Sequence, residues 1–174
     1  MSPRLKLDPK WKNEKAKGEL IEMAFQLKAS ALGLAVSKPY GDNQPFDFTV
    51  YTLRTGSMRV QVKSGWSRWR IGFKVKPYRS GRGPGDGYDF LVVYIPPHDA
   101  WYIIPADDLR DCTMAYFYPH RRKTRGRFEG FRDAWHLLTG DHSDDTRLIG
   151  LTIHANADES ANTTLLEKPE KQPF

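Results

Sequence analysis

Between residues 14 and about 32, apolar side chains return at helical spacing. Leu20, Ala24, Leu27 and Ala31 stand at i, i+4, i+7 and i+11, with Ile21, Phe25 and Leu32 beside them. That period predicts an amphipathic helix, and Gly33 supplies its stop. Glu19, Glu22 and Gln26 fall together on the other side. The period then shortens to two. Residues 35–38 predict a short strand ended by Pro39, and Gly-Asp-Asn-Gln-Pro at 41–45 predicts a turn. Residues 46–51 predict a strand with Phe46, Phe48 and Val50 on one face. After a turn around Thr55-Gly56-Ser57, residues 59–63 alternate strictly, so Val60 and Val62 point one way and Gln61 and Lys63 the other. Residues 69–75 predict a further strand with Ile71, Phe73 and Val75 in phase. Residues 88–95 form a nearly continuous apolar run, which suits a strand covered on both faces. Pro96-Pro97 ends it, residues 100–104 return as another strand, and Pro105-Ala-Asp-Asp-Leu reads as a short helical turn. Residues 128–138 predict a helix carrying Phe131, Trp135 and Leu138. Helix, several strands, then helix describes an α/β fold around a mixed sheet.

With 174 residues and 20.0 kDa, the chain has room for one ordinary domain. The pattern divides it into a flexible segment at 1–13, a domain at 14–140 and an acidic, partly disordered extension at 141–174. No apolar run approaches the roughly 20 residues of a membrane helix. The first residues lack the apolar stretch of a signal peptide, so a cytoplasmic protein is expected, without a membrane partner. Cys112 stands alone, which excludes an intramolecular disulfide and Cys-rich zinc modules. The five histidines show no HExxH spacing.

Charge changes the picture. Lys+Arg 27 against Asp+Glu 21 gives +6 and a pI near 9.4. Residues 48–85 contain no acid, yet carry Arg54, Arg59, Lys63, Arg68, Arg70, Lys74, Lys76, Arg79 and Arg82. A second basic cluster follows at Arg121, Arg122, Lys123, Arg125 and Arg127. Such blocks read as a footprint for a polyanion. Arg68, Lys74, Lys76, Arg79 and Arg82 are the phosphate-contact candidates, and DNA is the expected partner. A solvated basic face is the plainer alternative.

Asp47 opens one predicted strand, and Gln61-Val62-Lys63 lie on the next. Strands joined by so short a link run side by side, so the three residues can converge at one edge of the sheet. With a carboxylate from the preceding helix, the set suits Mg²⁺-assisted phosphodiester hydrolysis. Hard oxygen ligands favour Mg²⁺, and the metal and a lysine together stabilise charge building on phosphorus.

The stretch from about residue 15 to 110 resembles the PD-(D/E)XK nuclease superfamily, in its Holliday-junction resolvase and intron homing endonuclease branch. The helix opens Lys17-Gly18-Glu19-Leu20-Ile21-Glu22 and closes Gly33-Leu34-Ala35-Val36. The family glutamate stands four residues after a Lys-Gly pair and eleven before the closing glycine. Glu22 meets both spacings, and Glu19, one turn earlier, is the fallback. The family aspartate matches Asp47 in Pro45-Phe46-Asp47-Phe48, and the ExK pair matches Gln61-Val62-Lys63. The resemblance implies a restriction-endonuclease-like core of αβββαβ type and a metal-dependent DNA endonuclease. Glu22, Asp47 and Gln61 would arrange Mg²⁺, or Mn²⁺, and Lys63 would stabilise the transition state. Gln61 departs from the usual Glu or Asp, although the homing endonuclease branch uses Gln there. A homo-oligomer, dimer or higher, is expected if so small a chain cuts two strands.

Each residue also has a plainer role. Asp47 would cap a turn. Gln61 and Lys63 would form the wet face of an edge strand. Glu19 and Glu22 would be solvated helix residues. The rival function is a non-catalytic nucleic-acid-binding domain on the same scaffold; an oligomeric interaction module is the third.

Overall fold

Asn13 caps the first helix, its side chain accepting from the Ala16 N–H at 3.1 Å. The computed structural model describes residues 13–141, except 42, 67, 70–71, 79–82, 84–85 and 122–125. The chain divides into two compact units, Met1–Gly140 and Asp141–Phe174, and the elements below belong to the first. The expected flexible segment, up to residue 12, and the acidic extension beyond Asp141 lie outside the described residues.

Helix α1 spans Glu14–Ala31 and ends as the glycine signal predicts. Gly33 takes φ 83°, a left-handed value that costs glycine little, and its N–H bonds to the Ser30 carbonyl at 3.0 Å. Its buried face is Ile21, Phe25 and Ala29. The expected stripe of Leu20, Ala24, Leu27 and Ala31 is therefore corrected by about one residue's rotation: Leu27 is 75% exposed. Two apolar stripes share this helix, and the one containing Phe25 packs inward. Its ring lies 5.2 Å from Phe48 and 6.2 Å from Trp135.

Among the described residues, β1 (Ala35–Ser37), β2 (Phe48–Thr52), β3 (Gly56–Ser64), β6 (Phe90–Ile95) and β7 (Ala100–Pro105) form one sheet in the order β1-β2-β3-β6-β7. The β3–β6 pair is parallel and its neighbours antiparallel, so the sheet is mixed, as expected. A smaller sheet joins β4 (Arg68–Trp69), β5 (Gly72–Val75) and β8 (Ala115–Phe117). The α1-β1-β2-β3 order follows the αβββ half of the expected core. The crossover from β3 to β6 then carries β4 and β5, where the αβββαβ order has a helix.

The main sheet has a core on each face. Ile21, Phe25, Phe48, Val50, Val60, Val62 and Val92 pack on the α1 side with Trp101, Trp135 and Leu138. Leu91, Val93, Ile95, Tyr102 and Ile104 pack on the other with Phe73, Phe117 and Phe128. Strand β6 supplies both clusters, which is why its run reads as continuously apolar. Phe46 precedes β2 and packs against the second cluster, not with Phe48 and Val50. Ile71 lies outside the described residues, and the expected 69–75 strand is a hairpin: Arg68 faces Phe73 and Trp69 faces Gly72. Gly72 permits a close pass, since a Cβ there would meet the Tyr118 ring at 2.6 Å.

The helix expected at 128–138 is also broken. A 3₁₀ turn at Glu129–Phe131 gives way to Asp133 at φ 51°, and only His136–Thr139 is α-helical (α2). Tertiary bonds override the local period. Glu129 accepts from the Tyr118 N–H at 2.7 Å and the Tyr102 hydroxyl at 3.1 Å, and the Asp133 N–H donates to the Trp101 carbonyl at 2.8 Å. The turn expected after Pro105 forms at Ala106–Leu109.

Candidate functional site

The β2–β3 hairpin fixes the centre of the site. Phe48 faces Val60, and one residue earlier the Asp47 N–H still donates to the Val60 carbonyl at 2.9 Å. Asp47 is thus held at the mouth of the hairpin beside Gln61 and Val62. Its Oδ2 accepts the Val62 N–H at 2.8 Å and the Gln61 amide Nε2. Asp47 is 6% exposed and Gln61 1%. The β2 ladder ends at the Phe48–Val60 pair, so Gln61 and Lys63 pair with β6 alone; the burial of Gln61 removes its wet-edge alternative, while Lys63 is half-buried. Asp47 does more than cap a turn: it is buried and bonded to the neighbouring strand.

Helix α1 closes the site from above. Ile21 is buried against the sheet, and Glu22, the next residue, reaches the same cavity. That cavity, of about 210 Å³, is lined by Gly18, Ile21, Glu22, Asp47, Gln61, Val62, Lys63 and Ser64. Glu22, Asp47, Gln61 and Lys63 are thereby brought together. A second cavity of about 190 Å³ shares Gly18, Glu22 and Asp47, and adds Glu19, Lys38 and Gln44 among others. Glu19 lines this neighbouring space and not the cavity of Gln61 and Lys63.

Lys38, which the sequence reading passes over, belongs to the site. Its Nζ lies 2.7 Å from Glu22 Oε2. The hydrogen bond to Glu22, helped by the negative charges of Glu22, Asp47 and Glu19, holds this ammonium above the ordinary lysine range against the opposing effect of burial. Its position follows from strand pairing: Ser37 faces Thr49, which puts residue 38 beside residue 48 and near Asp47. The sequence carries no signal for this without that register.

The oxygen donors fit a hard divalent cation. Among the described residues no three His, Cys, Asp or Glu side chains cluster as metal ligands, so a cation here would depend on Gln61 beside the two carboxylates. Gln61 Oε1 is buried without a hydrogen-bond partner. An orphaned buried acceptor costs about 1–3 kcal/mol, a cost that a bound cation would remove. Glu22, Asp47 and the Gln61 carbonyl are the oxygen donors on this cavity that could hold a divalent cation.

The basic segment is only partly accounted for. Lys74 and Lys76 are exposed on and just after β5, with the Lys76 Nζ 4.6 Å from the Tyr78 ring centroid. Arg68 lies in β4 with its side chain undescribed, and Arg79 and Arg82 lie outside the described residues. Arg59 is committed elsewhere: Asp89, beyond the acid-free segment, accepts its Nη2 at 2.7 Å and its backbone N–H at 2.7 Å. The hydrogen bond from Arg59 lowers the Asp89 carboxyl below the ordinary aspartate range.

Residues 12–137 match the PD-(D/E)XK endonuclease family. A solved structure of a bacterial homing endonuclease superposes with a TM-score of 0.65 and 25% identity, over 78% of this chain and 98% of that one. No curated protein matches the chain.

Proposed function

Because the chain belongs to the PD-(D/E)XK endonuclease family, and its mixed α/β core is restriction-endonuclease-like, we propose that the cavity between α1 and β3 hydrolyses DNA phosphodiesters with a divalent cation. The observation that carries the reading is the convergence of Glu22, Asp47, Gln61 and Lys63 on one cavity, with the Gln61 carbonyl buried and unsatisfied. Glu22, Asp47 and Gln61 would hold Mg²⁺ or Mn²⁺. The ion supplies positive charge that polarises the phosphodiester and makes water more acidic. Asp47 is preorganised for this by the Val62 N–H, so little reorganisation is needed when a cation arrives. Lys63, two residues beyond Gln61 on the same face, meets the negative charge that grows on the phosphoryl oxygens as water attacks. Lys74 and Lys76, with Arg68, Arg79 and Arg82, would hold the DNA backbone. A site of this kind addresses one strand at a time, so a second copy would let both strands of a duplex be cut together.

A non-catalytic DNA-binding role is the second reading. It is favoured by one contact, in which Gln61 offers its Nε2, not its carbonyl, to Asp47. The deciding experiment incubates the protein with plasmid, branched DNA and single strands in Mg²⁺ or Mn²⁺, and repeats each with Lys63→Ala. Cleavage that Lys63→Ala abolishes supports the nuclease. Binding without cleavage on every substrate supports the second reading.

A further inference from the structure

Glu22 serves two cavities and one cation already claims it. The Lys38 ammonium bonds its Oε2 at 2.7 Å, from a residue that follows β1 and lines the outer cavity, not the one with Gln61 and Lys63. The Lys38 side chain is 57% exposed, whereas that of Glu22 is 22% exposed. One partner is therefore a tethered cation with room to withdraw toward solvent, and the other is a carboxylate held between α1 and the sheet. The Lys38 Nζ also stands 5.9 Å from the Phe48 ring, a second weak attraction to the site wall.

We propose that Lys38 is a built-in counter-ion, which engages the Glu22 carboxylate in the metal-free site and competes with a divalent cation for it. The inference rests on the metal-site reading above and adds to it a competition between two cations for one carboxylate oxygen. A carboxylate whose lone pairs are engaged by an ammonium at 2.7 Å is a poorer ligand than one that is not. A neutral side chain at position 38 removes the competitor. Metal affinity should then rise, although Glu22 loses its anchor.

The test is Mn²⁺ binding to the DNA-free protein, followed by calorimetry and by the electron spin resonance of unbound Mn²⁺. Lys38→Met should tighten Mn²⁺ binding roughly fivefold, the factor expected when a partly exposed ion pair no longer competes. Lys38→Arg should restore the weaker affinity. In a Glu22→Gln background, Lys38→Met should have little effect, because the contested carboxylate is gone. Equal affinities in wild type and Lys38→Met overturn the inference while leaving the metal site standing. An equal gain in both backgrounds also overturns it, since a general effect of positive charge would then suffice. Asp47→Ala is the control for the site itself: if Mn²⁺ binding does not depend on Asp47, the metal-site reading fails and the inference fails with it. Far-ultraviolet circular dichroism confirms that each variant is folded.

Discussion

On one side of α1 lies a cavity of about 210 Å³ lined by Glu22, Asp47, Gln61 and Lys63; on another lies a groove of about 650 Å³ lined by Leu20, Met23, Leu27, Tyr94 and Trp101 among others. The groove is larger and mostly apolar. Its charged lining residues include Lys28, Asp99 and Asp133, and the Tyr94 and Trp101 rings stack at 4.1 Å along it. The small cavity is energetically unusual. It buries the Asp47 carboxylate and the Gln61 amide side by side and leaves Gln61 Oε1 unsatisfied. Exposed leucines are common on protein surfaces, whereas buried unpaired polar atoms are rare. The comparison teaches that volume is a poor guide here: Trp66 Nε1 and Trp135 Nε1 are also buried without a partner, but of the three only Gln61 offers an oxygen acceptor, and it does so in a cavity with two carboxylates.

The strongest way to break the comparison is to remove the chemistry. Asp47→Ala and Lys63→Ala should each lower the cleavage rate by about 10³-fold or more, near 4 kcal/mol in barrier, while DNA affinity changes little. Lys63 is asked to meet charge that exists only in the transition state, so its loss belongs in the rate. Single-turnover cleavage beside a filter-binding titration separates the two quantities, and a matching loss of binding would contradict the assignment. Next in size is Phe25→Ala, which removes the ring joining α1 to Phe48 and Trp135. It should cost about 3–5 kcal/mol in urea unfolding. A cost below about 1 kcal/mol would mean that the other stripe of α1 faces the core.

Gln61 sharpens the polar side of the comparison. If its carbonyl is a working ligand, Gln61→Glu should preserve cleavage and tighten Mn²⁺ binding, because a charged oxygen replaces a neutral one. Gln61→Ala should weaken both by about tenfold, the usual scale for losing one charge-assisted contact. Wild type and Gln61→Ala equally inert in Mg²⁺ and Mn²⁺, both folded and DNA-bound, would favour the non-catalytic reading.

The contrast between the two sides of α1 also measures what the sequence makes legible. Strict alternation at residues 59–63 puts Gln61 and Lys63 on one face, and the short link back to Asp47 brings that residue alongside. Both are local patterns, and both are present in the structure. The face of α1 is harder, because Leu20, Ala24, Leu27 and Ala31 compete with Ile21, Phe25 and Ala29 at almost the same period. Only packing against Phe48 and Trp135 decides between them. Lys38 and the Arg59–Asp89 pair are set by strand register and by a contact across 30 residues, neither of which any local pattern records. The break at Asp133 has the same origin: its N–H is taken by Trp101, on β7.

The smallest expected effect tests the apolar side. Leu27 is 75% exposed and lies on the rim of the groove, although its spacing resembles that of a core residue. Leu27→Lys introduces a long polar side chain at a helical position where lysine is about as good a helix former as leucine. Its stem can lie along Met23 and Ala31 while the ammonium remains in water. The change in unfolding free energy should therefore stay within about 0.5 kcal/mol, as for ordinary surface substitutions. Metal binding should also be unchanged, because Leu27 lines the groove and not the cavity that holds Glu22. Urea unfolding of Leu27→Lys beside Phe25→Ala is the direct measurement. A loss of about 2 kcal/mol or more at Leu27 would show that the groove is covered in solution, and the exposed side of α1 would then count as part of a buried interface.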